Sequence, residues 1–336
     1  MERIILAHGS GGRLHHELIQ SVFVQQLGNH ALDQMLDAAV LELPRDKRVA
    51  FSTDSFVIDP LFFPGGDIGC LAVFGTANDL TVSGAVPRWL SAGFIIEEGF
   101  PLAELRRIVG SMRQAADRLG MLVVTGDTKV VGRGQADKLY INTAGIGLVD
   151  AEVMLSPRRI SSGDRVLVSG TMGDHGLAIM AQREGLSFLT PVSSDCGPLL
   201  EMAQALLAVG PGAVRCMRDP TRGGLATTLN ELAQQAGRTI RIEENAIPVR
   251  SQVRGACAML GLDPLYLANE GKLIAIVAAE AAEECLACLR KTEAGRAAAL
   301  IGEVTEVSQG IILRRTPLGV DRVMGMLEGE ILPRIC

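Results

Sequence analysis

MLVVTGDTKVVGRGQADKLYINTAGIGLV, residues 121–149, is the stretch on which the fold class turns. Residues 121–131 and 139–149 read as strands, and the short polar connection GRGQADK between them predicts a β-hairpin. Antiparallel pairing of this kind, mixed with helices, argues against a doubly wound parallel sheet and for α+β layers.

The neighbouring segments support that reading. Upstream, 102–119 is a helix opened by Pro101 and closed by Gly120. Residues 49–58 and 89–97 are strands, and GCLAVFGTANDLTV (69–82) is a buried helix. An amphipathic helix from Leu14 to Leu27 follows a glycine cluster. Downstream, the loop-like 150–164, with Pro157 and Gly163, marks a domain boundary. The second half then alternates strands near 165–169, 213–217, 239–243, 272–278, 300–306 and 311–315 with helices from Asp174 and over 197–209, 222–236, 250–260 and 280–291. The final stretch, 317–336, has no sustained period and reads as a flexible tail. The predicted organisation is a glycine-rich segment (1–37), an N-terminal domain (38–150), a C-terminal domain (151–316) and the tail, with mixed and antiparallel sheets.

Bulk properties narrow the function. A chain of 336 residues suits two domains, and a 48% hydrophobic content supplies large cores. An aromatic content of 4% and a net charge of −6 without a basic block argue against nucleic-acid binding. The N-terminal apolar run is too short for a signal peptide, and no window suits a membrane-spanning helix. Seven cysteines without a compact framework suit a reduced, cytoplasmic protein.

Three aspartates carry chemical signal. Asp54 lies in FSTDSFV, Asp79 in TANDLTV and Asp127 in VTGDTKV, each in apolar sequence beside small or hydroxyl residues. Burying an ionised carboxylate is costly unless it is paired or binds a cation. Three in one domain point to a shared site for Mg²⁺ on a phosphate chain. Taken singly, each would cap a turn or a helix. Lys129, two residues past Asp127 on an extended segment, shares its face; it is a phosphate-gripping lysine or half of a local ion pair.

Glycine loops offer phosphate sites. Gly9-Ser10-Gly11-Gly12 precedes a helix without completing a P-loop, so a plain turn is its alternative. SGTMGDHG (169–176), with Gly173 and Asp174, joins a strand to a helix and divides evenly between phosphate cradle and structural turn. In DPTRGG, Asp219 and Arg222 precede a helix, and Arg222 can fork onto phosphate. Glu270, in NEGKL, is a candidate general base. Cys285 and Cys288 lack partners for a metal site and read as core. Cys336 ends the chain: a terminal thiol on an extended ten-residue tip reaches roughly 33 Å, so it can enter a pocket and leave again.

Taken in order, HGSGG, STDSF, GTANDL, TGDTKV, SGTMGDHG, DPTRGG, NEGKL and the terminal PRIC resemble the HypE family of hydrogenase maturation factors, the carbamoyl dehydratases, over essentially the whole chain. The PRIC ending separates that family from its wider superfamily of aminoimidazole ribonucleotide synthetase, selenophosphate synthetase and thiamine monophosphate kinase. The resemblance implies a two-domain aminoimidazole ribonucleotide synthetase-like fold and a homodimer formed through the N-terminal domain. It implies that a carbamoyltransferase loads a carbamoyl group onto Cys336 and that ATP drives its dehydration to a thiocyanate. The cyano group then passes to iron on a complex of two maturation proteins, for [NiFe]-hydrogenase. In that scheme Asp54, Asp79 and Asp127 hold Mg²⁺, and the glycine loops (Gly9 to Gly12, Gly173), Asp174, Asp219 and Arg222 bind ATP. Lys129 and Glu270 flank the inserted tip, and which of them is the base stays open. The competing readings are another ATP-dependent enzyme of the superfamily, such as a small-molecule kinase, and a non-catalytic thiol carrier.

Overall fold

The computed structural model describes residues 3–35, 38–186, 192–329 and 334–335. The chain divides into two compact units. The first holds the chain up to Leu80, then Ala85–Val149, and the tip from Arg334; the second holds Thr81–Gly84 and Asp150–Pro333.

In the first unit the amphipathic helix runs as α1 (Arg13–Leu18), a π-helical turn over Ile19–Val24, and α2 (Gln25–Leu27). The wider turn keeps Leu18, Val22, Phe23 and Leu27 buried together. Strand β1 (Lys47–Phe56) is followed by the short pair β2 (Phe62–Phe63) and β3 (Gly66–Asp67), then α3 (Ile68–Val82) and β4 (Ala85–Glu97). Helix α4 (Leu102–Leu119), β5 (Leu122–Val131) and β6 (Leu139–Asp150) complete the unit. Helix α4 buries Leu105, Ile108, Val109, Met112, Ala115, Ala116 and Leu119, a 3.6-period stripe, and stops at Gly120 in the left-handed conformation.

The sheet order, β1-β6-β4-β5, corrects the hairpin reading. β5 and β6 do not pair. β4 lies between them, antiparallel to β6 and parallel to β5. The physical reason lies in β4, whose Leu90, Ala92, Phe94 and Ile96 are buried and which is paired along both edges. The loop 132–138 therefore crosses the end of β4 instead of turning tightly. Glu97, the last residue of β4, holds it there by accepting N–H bonds from Gly134 (2.6 Å) and Lys138 (3.0 Å). α3 covers one face of this sheet. Thr143 of β6 bonds the Thr76 hydroxyl (2.6 Å) and donates to the Ala72 carbonyl (3.0 Å).

The second unit is built on a seven-stranded sheet in the order β13-β12-β9-β11-β7-β10-β8. Its strands are β7 (Arg165–Val168), β8 (Val214–Arg218), β9 (Ile240–Glu243), β10 (Ile274–Val277), β11 (Ala299–Val304), β12 (Ile312–Arg315) and β13 (Asp321–Met324). All neighbours are antiparallel except β9 and β12. Alternate residues feed two cores: Val166, Val168, Ile274 and Ile276 enter one, and Leu167, Ala275 and Val277 the other. A central strand covered on both faces reads as a continuous apolar run, which is how LIAIV appears. The helices are α5 (Asp174–Arg183), α6 (Leu200–Leu207), α7 (Gly224–Ala236), α8 (Ser251–Leu260) and α9 (Ala282–Lys291). Among the described residues, no helix is long and apolar enough to cross a membrane.

The structure also shortens the expected tail. Residues 321–324 are strand β13, antiparallel to β12, and Asn230 of α7 donates to the Met324 carbonyl (2.9 Å). Four residues at a sheet edge are too few to show a period, so sequence patterning missed them. Amide exchange at 321–324 should accordingly be slower than at 325–329. Free-peptide exchange at 321–324 would refute the edge strand.

Candidate active site

In the first unit, Asp54 and Asp79 lie on the face of the sheet that α3 covers. Ser52 of β1 donates to the Asp79 carboxylate (2.7 Å). A Cβ at Gly75, one helical turn before Asp79, would lie 3.8 Å from the Asp54 carboxylate. Asp127 and Lys129 occupy the opposite, open face. The register Asp127↔Gly93↔Asn142 crosses from β5 to β6, and Asn142 donates to Ser55 (2.9 Å), on the exposed side of β1. Asp127 thus stands three strand spacings from Asp54, about 14 Å, and on the other face. The single shared cation site does not form within one chain. Among the described residues, no group of three or more His, Cys, Asp or Glu side chains is placed to hold a metal.

The three aspartates are also less buried than their apolar surroundings in the sequence predict. Asp127 and Lys129 are exposed, with side chains 66% and 64% accessible, and pair with each other at 3.2 Å. Asp54 and Asp79 are half-buried. Small and hydroxyl neighbours had suggested deeper positions, but on a sheet with one open face they mark the surface. The loop Gly9 to Gly12 begins against β5 on the Val130 side, across the strand from Lys129: a Cβ on Gly9 would come 2.6 Å from the Val130 nitrogen, so only glycine fits.

The tip belongs to the same unit. Arg334 donates from Nε to the Val57 carbonyl (3.1 Å) and pairs with Asp137. Its carbonyl accepts from the Asp59 N–H (3.3 Å), and Ile335 is buried. Cys336 lies outside the described residues.

In the second unit one side chain ties three loops together. Asn269, fully buried, accepts from the Gly173 N–H (2.7 Å) and donates to the carbonyls of Pro220 (3.1 Å) and Leu267 (3.1 Å). The SGTMGDHG, DPTRGG and NEGKL motifs therefore converge. Gly224 permits one close approach, since a Cβ there would sit 2.5 Å from the Leu267 carbonyl oxygen. Arg222 is exposed and Asp219 half-buried on the β8–α7 loop.

Gly173 and Asp174 favour the structural-turn alternative. The Gly173 N–H is committed to Asn269, and Asp174 is fully buried, accepting from the Thr171 hydroxyl (2.5 Å) and facing Arg250 (3.4 Å). Its Oδ1 has no hydrogen-bond partner among the described residues. Burial pushes the Asp174 carboxyl up, against the pull of Thr171 and Arg250.

Glu270 is buried, and its backbone N–H donates to Asp195 Oδ1 (3.1 Å). The other Asp195 oxygen accepts from Lys272 Nζ (3.0 Å), in a pair whose side chains are 2% and 10% accessible. Burial works to raise the Asp195 carboxyl, but Lys272, His175 and the Glu270 N–H together hold it below the usual carboxylate range. His175, fully buried, bonds Ser194 (2.7 Å).

Comparison with known proteins matches this architecture. Residues 35–149 fit the model of the AIR synthase related protein N-terminal domain, and residues 161–314 fit that of its C-terminal domain. The carbamoyl dehydratase HypE of Azotobacter vinelandii is 54% identical, over 98% of this chain and 96% of that protein. The chain belongs to the HypE family of carbamoyl dehydratases. A crystal structure of a HypE in complex with ATP superimposes with a TM-score of 0.95, at 50% identity over 99% of both chains. Another, of a HypE-HypF complex, gives 0.81 at 43% identity over 94% of this chain and 100% of that one.

No motif in the sequence assigns a role to Asp195, Lys272, His175 or Ser194. SSDC gave no sign that its aspartate is interior, because it lies in a segment with no period. A lysine two residues after a candidate base, at the head of an apolar run, is the one available signal. Asp195→Ala should cost on the order of 3 kcal/mol, since it leaves Lys272 buried without its partner. Urea denaturation reads this, and replacing both residues by apolar ones of similar size should recover part of the loss. Asp195 contributes stability that is complete above 3.8 and is lost as pH falls through its lower folded-state value. Asp174 has the opposite sign: its raised folded-state value means stability falls as pH climbs from 3.8. Asp174→Asn should therefore stabilise the protein at neutral pH by about 1 kcal/mol, with the gain shrinking as melts are taken toward pH 3.8.

Proposed function

We propose that this chain dehydrates a carbamoyl group carried on its own terminal thiol, Cys336, at the expense of ATP. The observation that carries the reading is the docking of Arg334 and Ile335 inside the unit that also presents Lys129, Asp127 and the Gly9 to Gly12 loop. Docking of the two residues before the thiol supports a substrate tethered to this unit.

An amide oxygen leaves poorly. ATP transfers its γ-phosphoryl to the oxygen of the S-carbamoyl group, and ADP departs. Two protons leave the nitrogen, phosphate is expelled, and the carbon–nitrogen triple bond of a thiocyanate remains. S-carbamoyl and ATP thus become thiocyanate, ADP and phosphate. Lys129, held by Asp127 at 3.2 Å on the open face, offsets charge on the transferring phosphoryl. Glu270, held by its N–H on Asp195, takes a proton from nitrogen. The Gly9 to Gly12 loop contacts the nucleotide.

Asp54 and Asp79 share a face and would hold Mg²⁺ that enters with ATP, a cation commonly bound by one or two carboxylates plus phosphate oxygens; in one chain that face lies across the sheet from Lys129, so the two act on the same phosphates only when a second copy completes the site. Mg²⁺ would neutralise charge on the phosphate chain. Asp127 belongs with Lys129 and not with this pair.

Three of the other cysteines are poor candidates for the reactive thiol. Burial pushes Cys216 up to about 12, and Cys257 and Cys285 up to about 11, so these are poor nucleophiles at neutral pH. We assign ATP binding and homodimer formation to the first unit. Its open sheet face exposes Val49, Phe51 and Ile95, apolar side chains suited to a second copy. The relative solved as a HypE-HypF complex supports docking to another maturation protein, the carbamoyl donor in this scheme. An iron-carrying complex of two maturation proteins is the acceptor.

Intact-mass spectrometry after incubation with the carbamoyl donor system should show a carbamoyl adduct on Cys336 that loses the mass of water when ATP is added. Cys336→Ala should keep ATP binding and form no thiocyanate. ATP turnover with a free substrate in that variant would instead favour a small-molecule kinase. An adduct indifferent to ATP would favour a passive carrier.

A further inference from the structure

We propose that loop 132–138 and residues 57–59 form a receptor for the chain's own C-terminal tip, with Arg334 as the positioning residue that sets where the terminal thiol is presented. The inference rests on Cys336 being the carrier, as argued above.

Three contacts define the receptor. The Arg334 guanidinium pairs with Asp137, its Nε donates to the Val57 carbonyl (3.1 Å), and its own carbonyl accepts from the Asp59 N–H (3.3 Å). Side chain and backbone are thus both read. The groups that read them are fixed in turn. Lys138 holds the Asp59 carboxylate at 3.0 Å, the Asp137 N–H donates to the Tyr140 hydroxyl (3.0 Å), and Glu97 anchors the loop through Gly134 and Lys138.

Arg334 has φ 54, in the left-handed region that side chains avoid. A residue at the end of a chain adopts that conformation only if its docked contacts outweigh the strain. Ile335, 7% accessible, adds apolar burial directly before the thiol. Cys336 is two positions beyond Arg334, so anchoring Arg334 confines it within roughly 7 Å.

The chemistry specifies arginine. One planar fork meets a carboxylate and a carbonyl together, which a lysine ammonium matches poorly. The pair is also reversible by construction, because its side chains are 37% and 41% accessible and so remain within reach of water. A receptor for a tip that must later meet a partner needs that balance. A fully buried pair would hold the carrier shut.

The test is single-turnover dehydration of protein already carbamoylated on Cys336, followed by intact mass, with ATP affinity and the carbamoylation rate measured alongside. Arg334→Ala and Asp137→Ala should each slow dehydration about tenfold, as expected for losing a charge-assisted hydrogen bond. Arg334→Lys should fall between Arg334→Ala and the parent. ATP affinity and the adduct on Cys336 should be retained. The double variant Arg334→Asp with Asp137→Arg should dehydrate faster than either single charge reversal, a rescue that a loss of folding would not show. Single variants at the parental rate, or a double variant no better than its components, would overturn the receptor. Failure of the parent protein to carry the adduct on Cys336 would overturn the carrier reading itself.

Discussion

Glu97 holds the first unit's topology in place. It ends the central strand β4, and its carboxylate accepts two backbone N–H groups from the loop that carries the chain from β5 across to β6. Those donors, from Gly134 first and then Lys138, also hold the carboxyl below its ordinary range. With the crossing fixed, β5 lies parallel to β4 at the sheet edge, and Asp127 and Lys129 face outward. The same loop then presents Asp137 to the tip. One carboxylate at a strand end thus links sheet order, the exposed lysine and the seat of the terminal segment.

The second unit relies on a different device. Asn269 binds three loops through neutral hydrogen bonds, and Asp195 adds a buried charge pair with Lys272. A buried pair of this kind contributes little net stability, yet removing either partner is costly. Such a pair fixes geometry more than it adds to the free energy of folding. Here the geometry it fixes is the backbone of Glu270, whose neighbour Gly271 lies so close to the Asp195 carbonyl that a Cβ would meet it at 1.8 Å. Asp174 carries a true energetic cost, since burial disfavours its charge and one oxygen lacks a hydrogen bond.

The elements with strong periods were legible in the sequence. Helix 102–119, with Pro101 before it and Gly120 after it, is an example: its buried stripe and its stop are both written locally. The apolar run of β10 and the α+β class are others. Strand partnership was not legible. GRGQADK has the length and polarity of a hairpin loop, and only the need of β4 for two neighbours shows that it is a crossing. Strand β13 escaped because four edge residues carry no pattern. Asp54, Asp79 and Asp127 were rightly placed in one unit. Their division between two faces depends on sheet order, which no local window contains.

By itself, then, the sequence determined the helices, most strands and the family, because periodicity, caps and ordered motifs are local properties of the chain. Tertiary structure alone decided which strands meet, which aspartates share a face, that Asp195 is interior, and that Arg334 is held by Asp137. Each of these depends on residues brought together from distant parts of the chain: Arg334 from Asp137, and Asp195 from Lys272. Pairing at that range is settled by burial and backbone hydrogen bonding across the whole fold, and those are satisfied only when all the strands are in place.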